Sequence, residues 1–275
     1  MTARTILITG CSSGIGHCVA HGLAQRGYRV FATARKATDV EQLNAAGLES
    51  LQLDLSDSGS INQAVDDVLA RTDGHLDALF NNGAYGQPGA VEDLSRDVLR
   101  DQFETNLFGW HELTNRVLPV MRAQGHGRII HNSSVLGFVA LPFRGAYNAS
   151  KYALEGLADT LRLELRGTGI HVSLIEPGPI ESRFRANALA VYRKTINAET
   201  SVHREKYRRL EQRLATAGPV VPFTLPAEAV LKKVIKALES PRPRARYYVT
   251  FPTYLFAALK RVLSDRALDK VLAKV

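Results

Sequence analysis

The chain has 275 residues, 45% hydrophobic and 23% charged, which is enough apolar material for a substantial core and excludes a disordered polymer. Its two cysteines, Cys11 and Cys18, exclude a disulfide framework and favour a reducing cytoplasm. The net charge of +8 comes without any nucleic-acid recognition motif, so nucleic acid is not an expected partner, and the basic runs His203–Arg209 and Arg242–Arg246 read as solvated surface. No apolar run is long enough to span a bilayer, and Met1–Arg4 leads straight into a strand-like run with no signal-peptide pattern.

The first predicted strand, Thr5–Thr9, runs into Thr9-Gly10-Cys11-Ser12-Ser13-Gly14-Ile15-Gly16 and a helix over Gly14–Arg26. Glycines at these positions permit a tight turn, close backbone approach to a pyrophosphate and close packing of helix on strand. The free N–H groups and dipole of the helix N-terminus favour phosphate. This GxxxGxG spacing differs from the GxGxxG of two-domain dehydrogenases. The second strand, Arg29–Thr33, is followed by Ala34, Arg35 and Lys36, where an NAD-preferring site places an acid for the ribose hydroxyls. Two cations there suit the 2′-phosphate of NADP, which Arg35 can grip through two nitrogens.

Thr38 and Glu41 have capping-box spacing at the head of a helix to Ala45. The strand Ser50–Asp54 ends on an acid that either holds an adenine amino group or caps the next helix, Ser58–Thr72. The strand Ala78–Asn81 precedes one long helix, Val98–Gln124, and the strand Gly127–Asn132 delivers Ser134 at its carboxyl end. A helix from Tyr147 to Gly167 begins Tyr147-Asn148-Ala149-Ser150-Lys151, with a phenol and an ammonium four residues apart on one face. An ordinary tyrosine titrates near ~10, and a nearby lysine cation with an oxidised nicotinamide would lower that value by about two to three units. Ser134 is placed to hydrogen-bond a substrate oxygen whose charge changes.

The strand His171–Ile175 ends in Pro177-Gly178-Pro179. Residues 183–226 then read as a polar, basic, helical insertion outside the sheet, able to cover a site. A helix over Pro226–Glu239, a last strand Tyr247–Thr250 and a helix over Thr253–Val275 complete the chain. In that last helix Leu255, Leu259, Val262 and Leu263 share a face opposed by Lys260, Arg261 and Asp265. This face packs on the domain or a second subunit, or touches a membrane surface. His17 and His21 are read as a packed or solvated pair, without the third ligand a metal needs, and Cys11 as a loop residue with no histidine to activate it. Repeated strand–helix alternation predicts an α/β fold: one Rossmann-type, doubly wound parallel sheet in a single domain over 1–275, with the 183–226 insertion and a C-terminal helical extension over 251–275.

Taken with Ser134 and the glycine-rich loop, the YxxxK string resembles the short-chain dehydrogenase/reductase family over almost the whole chain. The resemblance implies a catalytic tetrad of Asn106, Ser134, Tyr147 and Lys151. The lysine holds the nicotinamide ribose and lowers the tyrosine's pKa, and the asparagine places a kink and a water for proton relay. It also implies NADP(H) contacts from Gly10, Ser12, Ser13, Gly14, Ile15, Gly16, Arg35, Lys36, Asp54, Asn82, Gly83, Tyr147, Lys151, Pro177, Gly178, Ile180 and Ser182. Ser182 replaces the family's threonine and keeps the hydroxyl. The family's Asn-Asn-Ala-Gly reads Asn81-Asn82-Gly83-Ala84, with the two small residues exchanged. Arg35-Lys36 and Ile175-Glu176-Pro177-Gly178-Pro179-Ile180 are closest to bacterial relatives of 17β-hydroxysteroid and retinol dehydrogenases, including NADP-dependent aldehyde reductases.

The expectation is therefore reversible hydride transfer between NADPH and a hydrophobic aldehyde or ketone, retinoid- or steroid-like, in the cytoplasm or peripheral to the inner membrane. The resemblance implies a homo-dimer or homo-tetramer. Phe138, Leu141, Phe143, Phe184 and Leu189 are candidates for the apolar substrate wall. The rival readings are a non-catalytic NADP-sensing regulator, a membrane-associated scaffold held by the C-terminal helix, and a nucleotide-sugar epimerase. The loop spacing disfavours the last.

Overall fold

Seven short apolar runs become seven strands, and the amphipathic stretches between them become helices on both faces of one sheet. The computed structural model describes residues 3–274; Met1, Thr2 and Val275, which fall in the expected N-terminal run and C-terminal helix, lie outside the described residues. In chain order the elements are β1 (Thr5–Ile8), α1 (Gly14–Ala24), β2 (Arg29–Ala34), α2 (Ala37–Ala45), β3 (Glu49–Gln52), α3 (Ser58–Arg71) and β4 (Ala78–Asn81). There follow α4 (Arg96–Phe103), α5 (Gly109–Gln124), β5 (Gly127–Asn132), α6 (Gly145–Glu164), β6 (Ile170–Glu176), α7 (Phe184–Thr195) and α8 (Arg204–Ala215). The chain closes with α9 (Glu228–Glu239), β7 (Arg246–Tyr248), α10 (Phe251–Val262) and α11 (Asp265–Leu272).

Every strand pairing is parallel, in the order β3-β2-β1-β4-β5-β6-β7. Parallel neighbours need crossover connections, and helices on both faces leave the strands buried on both sides. Hence all residues of β1 and β4 are buried. The period of two then sorts their side chains between two cores. Leu7, Leu79 and Ile129 face Trp110, Leu113, Val65 and Leu154, whereas Ile6, Ile8, Phe80 and Ile130 face Val19, Leu23, Val230 and Val234. Each such side chain contributes roughly 1.5–3 kcal/mol on burial. The strand order reverses between β1 and β4, which opens a crevice beyond their carboxyl ends. Residues 10–16, 82–83, 132–134 and 177–182 all lie at or just beyond the carboxyl ends of strands β1, β4, β5 and β6.

Several local expectations are corrected. α2 starts at Ala37 with Lys36 as its cap and no side-chain cap bond, so Thr38 lies inside the helix and forms no capping box. α3 is capped by Asp57, which accepts from the N–H groups of Gly59 and Ser60, and not by Asp54. The single helix expected over 98–124 is α4 and α5 joined by a π turn, Glu104–Phe108.

The C-terminal helix expected over 253–275 is broken at Leu263-Ser264, where both residues are extended. At 1.5 Å of rise per residue, one straight helix would carry Leu268 and Leu272 away from the patch that Phe256 covers. The break folds all three onto Leu136 and Val139, with Leu259 and Leu263 beside them. Leu255 and Val262, assigned by periodicity to the same apolar face, are exposed instead. Among the described residues, no helix is long and apolar enough to cross a membrane.

Residues 183–226 leave and rejoin the domain at one point, the bridge between Ile180 and Leu225. The intervening α7 and α8 pack on each other through Tyr192 and Tyr207, whose rings are 5.6 Å apart.

Candidate active site

The loop after β1 is built for close approach. Gly10 and Gly14 adopt φ of +71° and +58°, which disfavour any side chain. A Cβ on Gly16 would lie 2.2 Å from the Gly10 carbonyl oxygen, so the α1 N-terminus seats directly on the loop. Ser13, the cap residue, makes no side-chain cap bond, and the first turn of α1 has no acid. A cradle that side chains would fill, facing an uncapped helix N-terminus at the sheet's switch point, fits a dinucleotide pyrophosphate. Ser182 closes one side of it: a Cβ on Gly14 would sit 3.0 Å from the Ser182 Cβ.

At the edge of this cradle Arg35 and Lys36 are both exposed, and the backbone carbonyl of Arg35 accepts from Gln52 Nε2 at 2.9 Å. Asp54 Oδ1 accepts from the N–H and hydroxyl of Ser56, at 3.0 and 2.7 Å.

Asn82 serves the loop from within. Its amide donates to the carbonyls of Thr9 (2.9 Å) and Gly10 (3.2 Å), and its Oδ1 accepts from Asn132 Nδ2 at 2.9 Å. The Asn132 carbonyl in turn accepts from Lys151 Nζ at 2.8 Å. One chain of hydrogen bonds therefore runs from the glycine-rich loop to Lys151. Asn132, its middle member, carries no motif signature and escaped the sequence reading. Gly83 packs against Gly10, where a Cβ would approach the Gly83 Cα to 2.5 Å.

Ser134, Tyr147 and Lys151 come together where β5 meets α6. Ser134 caps a short 3-10 turn, accepting from Leu136 N–H at 3.1 Å. Lys151 is buried to 1% exposure, with Nζ 4.2 Å from the Trp110 ring centre and 5.7 Å from that of Tyr147. Burial pushes its ammonium down to about 7, against the opposing charge of Glu155. Burial pushes the Tyr147 phenol up to about 12, opposed by the Ser134 hydroxyl and the Arg144 cation. The expected lowering of the tyrosine is therefore not supplied by the protein's own groups. The enclosed phenol loses more solvation than the neighbouring hydroxyl and cation return. Cys11 is fully buried and pushed up to about 12 by that burial, which suits an inert loop residue.

Asn106 lies buried in the π turn, its side chain bonded both ways to the backbone of Tyr85: Nδ2 to the carbonyl at 2.9 Å, Oδ1 from the N–H at 3.2 Å. It also donates to Ser150 Oγ at 3.4 Å, and Ser150 donates to the Tyr147 carbonyl. Asn106 thus ties the segment after β4 to the first turn of α6. Behind Ser134, Ser133 donates to Glu155, and Arg246 of β7 holds Glu155 at 2.8 Å, Asp159 at 2.7 Å and Glu176 at 3.0 Å. Burial, reinforced by Glu155, raises Glu176 to about 9. The loop after β6 is braced from both sides. The Pro177 carbonyl accepts from Val135 N–H at 2.8 Å, and a Cβ on Gly178 would meet Thr250 Oγ1 at 2.2 Å.

The apolar candidates divide between two walls. Phe138 and Leu141 join Tyr147 against the patch formed with α10 and α11, and Phe184 meets the Tyr147 ring edge-on at 5.3 Å. Phe143 and Leu189 belong to the cluster under α7 and α8. Phe143 has φ of +62°, a strained value for a bulky residue, and stands edge-on to Tyr207 at 5.4 Å. The His17 and His21 rings lie 4.3 Å apart, and no group of three metal-ligating side chains occurs among the described residues.

Comparison with known proteins places this geometry in context. The family model described as short chain dehydrogenase matches residues 4–192. The chain is 44% identical to the uncharacterized oxidoreductase YbbO of Escherichia coli (strain K12), over 98% of this chain and 94% of that one. It is 35% identical to human 17-beta-hydroxysteroid dehydrogenase type 1, over 91% of this chain and 78% of that one. A crystal structure of a short chain dehydrogenase/reductase from Burkholderia phymatum in complex with NAD superposes with a TM-score of 0.78 at 26% identity, covering 98% and 95% of the two chains.

Proposed function

The chain belongs to the short-chain dehydrogenase family of oxidoreductases, and from that premise we propose that it is an NADP-dependent reductase of hydrophobic aldehydes or ketones, with Tyr147 as the proton donor. One observation carries the reading. Ser134, Tyr147 and Lys151 stand together at the crevice, and the Lys151–Asn132–Asn82 hydrogen-bond chain links them to a glycine-lined helix N-terminus.

A bound nicotinamide dinucleotide supplies the hydride for the carbonyl carbon. The residues that would hold it are those of 10–16 for the pyrophosphate, Arg35 and Lys36 for a 2′-phosphate, Asp54 and Gly83 on the adenosine side, and Lys151 with Pro177–Ser182 on the nicotinamide side. Tyr147 gives its phenolic proton to the carbonyl oxygen as negative charge develops there, and the Ser134 hydroxyl steadies that oxygen through a hydrogen bond. Burial holds the Tyr147 phenol above its ordinary value and so protonated at neutral pH, the state a proton donor requires. Lys151, held near 7, is poised to change its charge in the same pH range. Asn106 keeps the π turn and the start of α6 in register, as a proton-relay position requires. Phe138, Leu141 and Phe184 close an apolar wall beside Tyr147, which suits a lipophilic carbonyl compound.

NADP preference rests on the absence of an acid after β2 and on the two exposed cations that stand there instead. Replacing Arg35 by Asp removes a bidentate phosphate grip and adds a repelling charge. The ratio of kcat/KM for NADPH over NADH should then fall by about 10–100-fold with an apolar aldehyde as substrate. An unchanged ratio would refute the role of Arg35, and a wild-type preference for NADH would refute NADP itself.

A further inference from the structure

α10 has an apolar face turned inward and a second one turned outward. Thr253, Phe256 and Ala257 are buried, and Phe256 packs on Leu136 and Val139 in the patch that also holds Phe138 and Tyr147. The positions i, i+4, i+7 and i+11 from Phe251 form a separate stripe of Phe251, Leu255, Ala258 and Val262. All four are exposed, Val262 to 81%. A loop of the 183–226 segment extends the stripe. Phe223 is 56% exposed, and its ring lies 4.9 Å from that of Phe251. Its φ is +61°, a strained value for a bulky residue that persists only where something fixes it. The strained backbone thus holds an apolar ring in solvent, against another exposed ring, and not in the core.

The charges along this stripe have one sign. α10 contains no acid, and its last turn carries Lys260 and Arg261. Lys260 is engaged elsewhere, donating to the Phe138 carbonyl. Arg261 is exposed and stands one heptad after Tyr254, on the same flank of the stripe. Lys233 of α9 reaches that flank too, its Nζ donating to the Tyr254 hydroxyl at 3.2 Å. Among the described residues neither Arg261 nor Lys233 enters an ion pair. The next acid along the chain, Asp265, lies beyond the break, in the first turn of α11. An isologous contact with a second copy would bring two sets of like charges into one interface. A bilayer surface with acidic headgroups receives both parts, the apolar side chains at the acyl boundary and the cations at the headgroups. The stripe also connects to the site. The Tyr254 ring stands edge-on to that of Tyr248 at 5.3 Å, and the Tyr248 ring is 6.0 Å from that of Phe138, in the patch beside Tyr147.

We infer that α10 and Phe223 dock this chain on the surface of an anionic bilayer, with Lys233 and Arg261 at the headgroups, and that its carbonyl substrate is taken from that bilayer. The source of the substrate rests on the reductase reading, while docking is measured without turnover. In flotation, the wild-type chain should partition about tenfold or more strongly onto vesicles of phosphatidylcholine and phosphatidylglycerol, mixed at about 2:1, than onto pure phosphatidylcholine. Arg261→Glu should bring that ratio close to one. Phe251→Ser combined with Val262→Ser should lower binding to the mixed vesicles about tenfold. All three positions are exposed, so NADPH affinity and the unfolding midpoint should stay at their wild-type values. Val262→Trp keeps the stripe apolar and adds an exposed indole to the buried Trp110, and its emission should move to the blue when the mixed vesicles are added.

In turnover, the double variant should reduce hexadecanal held in the mixed vesicles about tenfold more slowly than the wild type, and hexanal in solution at the wild-type rate. Equal wild-type partition onto both kinds of vesicle, or a Val262→Trp emission that does not move, overturns the docking. A wild-type dimer that the double variant dissociates, with no vesicle bound, assigns the stripe to a second copy and overturns it as well. If hexanal is reduced and no vesicle is bound, the docking fails and the reductase reading stands. If the mixed vesicles are bound as stated and neither aldehyde is reduced, the reductase reading fails and the docking stands.

Discussion

The two ends of the crevice are built from different materials. The end proposed to face the cofactor is made of backbone and buried amides: glycines at positive φ, carbonyls bonded by Asn82, and a lysine held by the Asn132 carbonyl. The end proposed to face the substrate is made of side chains: aromatic contacts under α7 and α8 and a short C-terminal helix pair on Leu136. The first arrangement depends on atoms every residue has, so it tolerates few substitutions. The second depends on side-chain identity, so it is where specificity can vary without dismantling the chemistry.

This contrast can be broken most severely at Gly16. Gly16→Val places side-chain atoms where a Cβ alone would already lie 2.2 Å from the Gly10 carbonyl. Dinucleotide affinity should fall by more than about 100-fold in calorimetric titration, because overpacking costs several kcal/mol at the loop itself. Retained affinity would mean that the loop yields and the backbone account is wrong.

Next comes Lys151→Met, expected to lower kcat about 100-fold while raising thermal stability. An ordinary lysine titrates near 10.5 and this one near 7. Between those values the folded chain binds fewer protons than the unfolded chain, so wild-type stability rises with pH across that window. The stability advantage of the methionine variant should therefore be largest below pH 7 and fade towards pH 10.5. A gap independent of pH would show that the buried ammonium is not its source.

The smallest effect is expected at the substrate end. The Tyr207 hydroxyl donates to Asp93 at 2.6 Å and accepts from Ala90 N–H at 2.8 Å, latching α8 to the segment after β4. Tyr207→Phe leaves the Ala90 N–H without its partner and Asp93 with Ser201 alone, at 2.7 Å, and should cost about 1–3 kcal/mol in denaturant unfolding, with a rise in KM for substrate and little change in cofactor affinity. A matching loss of cofactor affinity would erase the distinction between the two ends.

The same contrast explains what was legible in the sequence. The strands could be read because a sheet buried on both faces demands continuous apolar runs, and Gly10, Gly14 and Gly16 because their spacing follows from the loop they form. Tyr147 and Lys151 share a helix face, so spacing alone pairs them. Asn132 was not legible, because its partner Asn82 lies fifty residues away and only the adjacency of β4 and β5 joins them. The break at Leu263-Ser264 escaped periodicity because Leu255 and Val262 fit one helical stripe, while the tertiary patch selects Phe256, Leu268 and Leu272 instead.

The most direct test of the account is Tyr147→Phe, with NADPH oxidation by an apolar aldehyde and NADPH binding measured on the same samples. The substitution removes one hydroxyl and keeps the ring that meets Phe184. The account predicts a fall in kcat of about 1,000-fold with cofactor affinity retained. Turnover close to that of the wild type would show that another group donates the proton, and would contradict the assignment of Tyr147.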